Sequence, residues 1–322
     1  MTNISHYIQS NRIIDVYLEN IDLLRDYSEY QHFMSRLNII RKRQTPQSYF
    51  LNIVVDLENC VNLSVDEVVK KLLKKDTKGF LKKVCETNDK DIFRYLYLTH
   101  ISDLYSICIR NNVKLDKTLK EKIISILSND DTIDFLCKVC KNSELRKYEG
   151  TWCANGIGYT LFYIEHNEQN KQKLFVALCD IYNYYLSNFD IKNRDSVYGL
   201  THCVLQFSMF YTKDIYKNNF CDNYGVVKLF FDTIKVIETA FNSIDKVKAM
   251  SSDMIAELLV VYKMLNNKEN RYTSLAYNEL VRRINPEYNI IVSTENADFT
   301  QLLKLNEHTN ILFVLYCRLE LK

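Results

Sequence analysis

The chain has 322 residues, of which 47% are hydrophobic and 25% charged, and its formal net charge is +2. This composition excludes wholesale disorder, and the near balance of charge gives no argument for a polyanionic partner. No apolar run approaches the roughly 20 residues that span a bilayer, and the polar start of the chain lacks the apolar stretch of a signal peptide. We therefore expect a cytoplasmic protein that does not enter a membrane and that has enough chain to bury a core.

Helical periodicity predicts the structure along almost the whole chain. In residues 64–73 the apolar side chains share one helical face, and Ser64 with Glu67 forms a capping box at its start. Segments rich in Asn and Asp separate the helices, and Tyr288–Val292 is the only candidate strand. We predict an all-α protein in which helix exceeds about 60% of the residues. The same helical period recurs in the segments 92–109, 119–127, 133–139, 174–186, 226–241, 254–265 and 275–284.

Many helices with short connections predict antiparallel helical hairpins. Such hairpins either close into an α/α toroid, which is the arrangement we favour, or stack into an open solenoid. The expected organisation is a single all-helical domain over residues 1–322. The alternative is a subdivision near 145–150, which would give a helical N-terminal half, 1–145, and a glycine-containing C-terminal half, 146–322.

The ten cysteines are expected to be free thiols, because most of them lie among Leu, Val, Ile and Phe. A thiol in such surroundings behaves as a small hydrophobe, and disulfide frameworks belong to short secreted chains. Cys137 and Cys140 form a lone C-x-x-C pair inside a helical pattern, with no second pair and no histidine pair at zinc-finger spacing. We expect buried core thiols there.

Seven lysines between positions 70 and 83 make the most basic part of the chain, and three basic residues at 41–43 precede them. The lysines fall opposite the apolar face of their helix, and neighbouring acidic residues offset part of their charge. A solvated helix face explains this pattern, so a nucleic-acid partner is not expected.

Five of the six glycines lie between positions 150 and 225, in the same region as the only tryptophan, Trp152. Glycine is favoured where backbone turns sharply or approaches another group closely. Residues 151–159 interrupt the helical pattern, and small residues at a helix start let backbone N–H groups face an anion or a carbonyl. The segment is therefore either a tight turn between helices or the wall of a site formed by Asn155, Gly156 and Gly158.

Trp152 and Cys153, followed by Gly156 and Gly158, resemble the Trp-Cys-x-Gly segment of the lanthionine cyclases, a family that is also all-helical. In that family a Cys-His-Gly segment follows a little under fifty residues later, and here a Thr-His-Cys segment at 201–203 follows at a similar interval. The resemblance implies an α/α toroid whose inner helices surround a central cavity. The Leu-Thr-His sequence at 200–202 is also similar to a motif of poorly described bacterial helical families.

The resemblance to the lanthionine cyclases also raises the question of zinc, since the family's first cysteine is a zinc ligand. It implies Cys153 and His202 as ligands here, with His100 or Cys203 as the third. A catalytic zinc site needs three protein ligands and an open position. Because Thr201 stands where the second zinc cysteine is expected, we predict no metal and keep zinc at Cys153 and His202 as the alternative.

His202 is the strongest histidine candidate, because it lies shortly after a glycine that starts a helix, and an imidazole pKa near neutrality suits a general base or ligand. His100 has Asp103 one helical turn later, close enough to fix its tautomer. For both histidines the alternative is a core position bonded to a carbonyl. Asp195 is expected to cap the helix that contains His202. The remaining histidines are expected on the surface or in packing positions: His6, His32, His166 and His308.

Together these features favour an enzyme or binding protein that acts on a small molecule or peptide in a cavity lined by 152–158 and 198–206. His202 would be the acid, base or ligand-binding residue, and Cys153 a ligand or nucleophile. The alternative function is a non-catalytic helical scaffold that binds a protein or nucleic acid. The sequence gives no oligomeric state. The catalytic candidates are His202, Cys153, His100 and Asp103, and the ligand-binding candidates are Trp152, Asn155, Gly156, Gly158, Tyr198, Thr201 and Gln206.

Overall fold

The structure is a computed structural model that describes residues 4–24, 28–41, 50–75, 86, 89–212, 214–217, 224–266, 268–293 and 297–319. Helical turns account for 80% of these residues, and no strand is found among them. The prediction of an all-α protein with more than about 60% helix is confirmed. The helices are compatible with a toroid or with a solenoid, and the choice between the two stays a prediction.

Contacts between Cα atoms divide the chain into two compact units. The middle unit is the continuous segment Pro46–Phe210, and the terminal unit combines Met1–Thr45 with Tyr211–Lys322. Positions 145–150, the expected alternative boundary, lie inside the middle unit. In chain order the α-helices are α1 (Ile4–Glu19), α2 (Ser28–Arg41), α3 (Leu51–Asn62), α4 (Val65–Lys75), α5 (Lys90–Arg110), α6 (Lys117–Leu127), α7 (Asp130–Val139), α8 (Ser143–Tyr148), α9 (Gly150–Tyr163), α10 (Glu168–Ser187), α11 (Arg194–Phe207), α12 (Tyr224–Ala240), α13 (Ile244–Ala249), α14 (Ser252–Asn266), α15 (Arg271–Arg282) and α16 (Phe299–Arg318).

Helix α9 is the centre of the middle unit, where it packs against α5, α8, α10 and α11. It is continuous over its 14 residues, so the expected interruption at 151–159 is wrong. Its glycines permit close helix packing, because a Cβ on Gly156 would lie 2.6 Å from the Tyr95 hydroxyl of α5. A Cβ on Gly150 would lie 2.4 Å from the backbone oxygen of Asp195 in α11. Glycine is therefore required at these positions because neighbouring helices lie close to them, and not because the backbone turns there.

Side-chain caps begin most helices of the middle unit, and they come from the segments rich in Asn and Asp. Asn193 caps α11, and its Oδ1 accepts from the backbone N–H of Asp195 at 3.0 Å. The expectation that Asp195 is the cap is therefore wrong, since Asp195 lies in the first turn of the helix. The capping box of Ser64 and Glu67 before α4 is confirmed. The other caps in this unit are Asp89, Asp116, Asn129, Asn142 and Asn167.

Helix α16 is the centre of the terminal unit, where it packs against α1, α2 and α14. Asn310 of α16 fixes the segment that precedes the helix, because its Oδ1 accepts from the backbone N–H of Ile291 at 2.8 Å. The candidate strand at 288–292 contributes an isolated antiparallel bridge between Ile284 and Ile291. The buried side chain of Asn310 therefore holds this segment in position, a role that pairing in a sheet was expected to have.

The lysines follow the sequence-based expectation where the structure describes them, and the cysteines do so in part: Cys140 is buried as expected, whereas Cys137 is half-buried. Eight cysteines are described and all are free thiols, whereas Cys85 and Cys221 lie outside the described residues. Lys70, Lys71 and Lys74 are exposed on α4, as a solvated face requires, and the other four lysines of that segment lie beyond the described side chains. None of the helices in the described ranges is long and apolar enough to cross a membrane.

Candidate functional site

Three hydrogen-bonded side chains join α9 to α11 in the middle unit. Asn155 of α9 places its Oδ1 3.0 Å from His202 Nδ1 and 2.7 Å from Gln206 Nε2, both on α11. His202 and Gln206 are four residues apart, so they share one face of that helix. We call Asn155, His202 and Gln206 the amide–histidine group. It brings together three of the residues that the sequence predicted for a site.

The amide oxygen of Asn155 fixes the tautomer of His202. An amide oxygen accepts hydrogen bonds and cannot donate them, so His202 Nδ1 holds the proton in this contact. In the neutral ring Nε2 is then the acceptor, and it is the atom that can bind a donor or take up a proton. His202 and Asn155 are half-buried, whereas Gln206 is fully buried.

Three buried polar atoms on α5, α9 and α11 have no hydrogen-bond partner among the described residues. Gln206 Oε1 is buried and has no hydrogen-bond partner in the part of the chain that the structure describes. The same is true of the hydroxyl groups of Thr99 on α5 and Tyr163 on α9. A buried acceptor without a donor costs about 1–3 kcal/mol. A donor supplied to Gln206 Oε1 would therefore stabilise the site.

Gly158 determines where the Gln206 side chain can lie. A Cβ on Gly158 would be 2.2 Å from Gln206 Cγ and 2.4 Å from its Oε1. Gly156 and Gly158 lie beyond the first turn of α9, so their N–H groups form bonds within the helix. The expected anion-binding backbone is therefore not formed at these glycines, and both make room for side chains of neighbouring helices.

An aromatic and cationic cluster packs against His202. The Phe210 ring lies 5.8 Å from the His202 ring and 5.3 Å from the Tyr159 ring, measured between centroids. The Arg110 guanidinium lies 4.6 Å from the centroid of Phe210, which is a cation–π contact. Burial and the nearby Asp103 carboxylate raise the pKa of Tyr159 well above its ordinary value, so this phenol is neutral. His202 thus has an aromatic neighbour as well as an amide.

The backbone that follows α11 is strained. Met209, Phe210 and Tyr211 have φ angles of 47°, 51° and 70°, in the left-handed region that residues other than glycine rarely adopt. Each such residue costs on the order of 1–3 kcal/mol, and residues of this kind cluster at functional sites. One consequence of the turn is the contact between Phe210 and His202.

The ring centroids of His100 on α5 and Trp152 on α9 lie 6.4 Å apart. His100 also lines a cleft between α3, α4 and α5 that encloses about 300 Å³, including its open mouth. The expected pairing of His100 with Asp103 stays a prediction. The residues lining the cleft are Asp56, Asn59, Cys60, Leu63, Val68, Lys71, Leu72 and His100.

Tyr198 and Thr201 were expected to bind ligand, and the structure places both in the core of the middle unit. The Thr201 hydroxyl donates to the backbone oxygen of Tyr198 at 3.2 Å, one turn earlier in α11. The Arg194 guanidinium lies 4.4 Å from the centroid of the Tyr198 ring. These contacts fix the start of α11, so they support the position of His202 and Gln206.

Cys153 is fully buried, and its environment argues against the expected role as nucleophile or metal ligand. Its Sγ donates to the backbone oxygen of Cys140 at 3.3 Å, and burial raises the pKa of the thiol to about 12. Nucleophilic and metal-binding cysteines react as thiolates. No group of three His, Cys, Asp or Glu residues in the described ranges is arranged to hold a metal ion.

A second group of ionisable side chains lies in the terminal unit and includes His32 and His308, which the sequence assigned to the surface or to packing. His308 Nδ1 lies 2.6 Å from Asp253 Oδ1, and His308 Nε2 lies 3.4 Å from Glu257 Oε1. His32 Nδ1 lies 2.8 Å from each carboxylate oxygen of Glu307. We call these five residues the histidine–carboxylate cluster. Asp253 and Glu257 lie one turn apart on α14, and this spacing was the sequence signal for their part of the cluster.

The remaining two histidines make packing contacts, as expected. His166 Nε2 lies 2.9 Å from the backbone oxygen of Thr160 in the middle unit. His6 is buried in the terminal unit, with its ring centroid 4.0 Å from that of Tyr277 and its Nδ1 3.2 Å from Glu269.

Comparison with known proteins adds no relative of established function. No protein-family model, no curated protein and no solved structure matches the chain. The resemblance to the lanthionine cyclases therefore stays a prediction from the residues that suggested it.

Proposed function

We propose that the middle unit binds a small polar molecule or a peptide at the amide–histidine group, with His202 as the ligand-binding or acid–base residue. The observation that supports this most directly is the buried Gln206 Oε1, which has no hydrogen-bond partner among the described residues and adjoins Asn155. An N–H or O–H group of a ligand would satisfy that oxygen. It would thereby remove a penalty of about 1–3 kcal/mol.

The tautomer of His202 supports the same class of ligand. With Nδ1 protonated, Nε2 of the neutral ring is an acceptor, and Gln206 Oε1 is the acceptor of the group that has no hydrogen-bond partner among the described residues. The complementary ligand has at least one hydrogen-bond donor for Gln206 Oε1, such as an amide, a hydroxyl or an amino group. A peptide backbone with a neighbouring polar side chain meets this requirement.

The strained backbone at Phe210 is a second line of support. A protein retains such strain where the surrounding structure gains from it, and here the turn places an aromatic ring against His202. Arg110 packs on the same ring, which adds a positive charge near the group. A ligand that combines hydrogen-bond donors with an apolar or negatively charged part would fit these neighbours.

In this proposal the primary function is ligand binding. If the ligand is also a substrate, His202 acts on it as an acid or a base. A covalent mechanism through Cys153 is not part of it, because the thiol is buried and neutral. We also propose that the protein is cytoplasmic, which the free thiols of the described cysteines support. An α/α toroid, as the resemblance to the lanthionine cyclases implies, is the proposed arrangement of the helices.

The experiment is a thermal-shift screen of the full chain against a panel of polar metabolites and short peptides. Ligands of the amide–histidine group should raise the Tm of the wild type and of His166→Gln, but not that of His202→Gln. His166 is the matched control, because it lies in the same unit and its Nε2 contacts a backbone oxygen. For each ligand, titration calorimetry should show affinity reduced by about 10-fold or more in His202→Gln. Equal stabilisation of both variants would contradict the proposal.

The alternative function, a helical scaffold that binds another protein, is favoured by one observation in the terminal unit. Ile4, Tyr7 and Ile8 form an apolar stripe on α1 and are 77%, 53% and 45% exposed. Exposed apolar patches of this kind mark protein contacts. A screen in which no metabolite or peptide stabilises the protein, together with normal folding of His202→Gln, would favour the scaffold.

A further inference from the structure

The cleft between α3, α4 and α5 of the middle unit is separate from the amide–histidine group, because none of the three residues of that group lines it. We call it the α3–α4 cleft. It encloses about 300 Å³, including its open mouth. At about 30 Å³ for each water-sized group, this space holds on the order of ten non-hydrogen atoms. A space of this size suits a single small molecule.

The buried part of the cleft lining is apolar. Cys60 of α3 and Val68 and Leu72 of α4 are 6%, 1% and 8% exposed, and Leu63 between the two helices is half-buried. Val68 and Leu72 are four residues apart, so they share one face of α4. An aliphatic group placed on this surface leaves water and contacts apolar side chains, which favours binding.

Polar and charged side chains form the more exposed part of the lining. Asp56 and Asn59 contribute a carboxylate and an amide from α3, and they share a helix face with Cys60 because the spacing is i, i+3 and i+4. Lys71 contributes an ammonium from α4, and His100 contributes an imidazole from α5. The cleft therefore has an acidic group on α3 and a basic group on α4 above an apolar floor.

The Lys71 ammonium is able to bind an anion in the cleft. Lys71 is exposed and forms no ion pair with a residue in the ranges that the structure describes. Its charge acts on Glu67, one turn earlier in α4, but the Glu67 carboxylate bonds to the Ser64 hydroxyl at 2.6 Å in the capping box. A ligand carboxylate would therefore give Lys71 a partner without breaking a contact of the protein.

We propose that the α3–α4 cleft binds an aliphatic α-amino acid of about the size of leucine. The side chain of the amino acid lies on Leu63, Val68 and Leu72. Its carboxylate binds the Lys71 ammonium, and its own ammonium binds the Asp56 carboxylate. Both charges of the ligand and its apolar part thus find a complementary group among the residues that line the cleft.

The test begins with titration calorimetry of the full wild-type chain with L-leucine at low ionic strength, where charged contacts are least screened. L-leucinamide lacks the carboxylate, isocaproate lacks the ammonium and glycine lacks the aliphatic side chain. Each should bind about 5-fold or more weakly than leucine, since each loses one of the three contacts. Equal affinity for leucine and leucinamide, or no binding of leucine at about 10 mM, would overturn the proposal.

Two variants assign the charged contacts to their residues. Lys71→Met should weaken the binding of leucine by about 5-fold or more and leave that of leucinamide unchanged, because leucinamide has no carboxylate to lose. Asp56→Asn should weaken the binding of leucine in the same way and leave that of isocaproate unchanged. A Lys71→Met protein that binds leucine as tightly as the wild type would overturn the proposal.

Neighbouring charges supply the matched controls. Lys70 and Glu58 are exposed on α4 and α3 and do not line the cleft, so Lys70→Met and Glu58→Gln should bind leucine as the wild type does. His202→Gln should also bind leucine normally, which separates this site from the amide–histidine group. If Lys70→Met weakens binding as much as Lys71→Met, or if His202→Gln abolishes it, leucine does not bind in the cleft as proposed.

Discussion

Gly158 of α9 and Gln206 of α11 are in such close contact that one added methyl group would overlap the glutamine side chain, since a Cβ on Gly158 would lie 2.2 Å from Gln206 Cγ. The contact explains why a glycine is tolerated inside a buried helix, where it lowers stability by about 1 kcal/mol relative to alanine. It also links the packing of two helices to the hydrogen bond from Gln206 to Asn155. A substitution of Gly158 would therefore change both the packing of the two helices and the candidate site.

Gly158→Ala should lower the free energy of unfolding by about 1–3 kcal/mol, because overpacking outweighs the gain in helix propensity. It should also abolish ligand binding at the amide–histidine group, since Gln206 must leave its position. Urea unfolding measures the first effect and titration of a stabilising ligand the second. Gly225→Ala on the exposed start of α12 is the control and should leave stability unchanged or slightly higher.

Cys153 should resist alkylation in the native protein. The thiol is fully buried and its pKa is raised to about 12, so the thiolate that reacts with iodoacetamide is scarce and inaccessible. Mass spectrometry of peptides after mild alkylation at about pH 8 should find Cys153 unmodified, and modified once urea is added. Rapid labelling of Cys153 in the folded protein would mean that this region opens readily and would restore it as a candidate nucleophile.

Asn193→Ala should lower the free energy of unfolding by about 1 kcal/mol, because the Asn193 side chain accepts from the N–H groups at the start of α11. Lys192→Ala, at the exposed neighbouring position, should change stability little. Chemical denaturation of the two variants makes the comparison. Equal stability of both would mean that the cap contributes nothing to this helix.

The lowered pKa of His166 predicts that the folded protein loses stability as the pH falls below neutrality. Burial lowers the pKa of His166 below its ordinary value of 6.5, although the bond to the Thr160 oxygen opposes the shift. The unfolded chain therefore binds the proton first, so stability is lost as pH falls below about 6.5. Thermal unfolding at decreasing pH should show a shallower decline for His166→Gln than for the wild type. An unchanged decline would assign the acid sensitivity to other groups.

The sequence predicted the fold well because apolar periodicity and capping residues act locally. Ser64 and Glu67 lie within one turn, so their capping box is visible in the sequence and recurs in the structure. The failure at 151–159 has a physical reason. Glycine is favoured both where neighbouring groups leave no space for a side chain and where the backbone has unusual dihedral angles. The sequence does not distinguish these two cases. Close contacts with residues distant in the chain, such as Tyr95 and Gln206, show that space is the need.

The candidate site was predicted only in part, because its contacts join residues that are distant in the chain. Asn155, His202 and Gln206 were named from the sequence, yet their mutual hydrogen bonds depend on how α9 and α11 pack. Cys153 was named from a motif, and a motif does not reveal that its side chain points into the core. The histidine–carboxylate cluster was missed because His32 and Glu307 are 275 positions apart and neither has a local pattern.

The division of the chain into two units determines the order in which these units can fold during synthesis. The middle unit is one continuous segment, whereas the terminal unit needs both ends of the chain. The Tyr17 hydroxyl of α1 bonds to the backbone oxygen of Leu303 in α16, across 286 positions. On a ribosome that adds about 5–20 residues per second, α1 and α2 wait for their central helix for roughly tens of seconds, while the middle unit is complete much earlier. The apolar faces that these two N-terminal helices turn towards α16 therefore stay without that partner until α16 has been made.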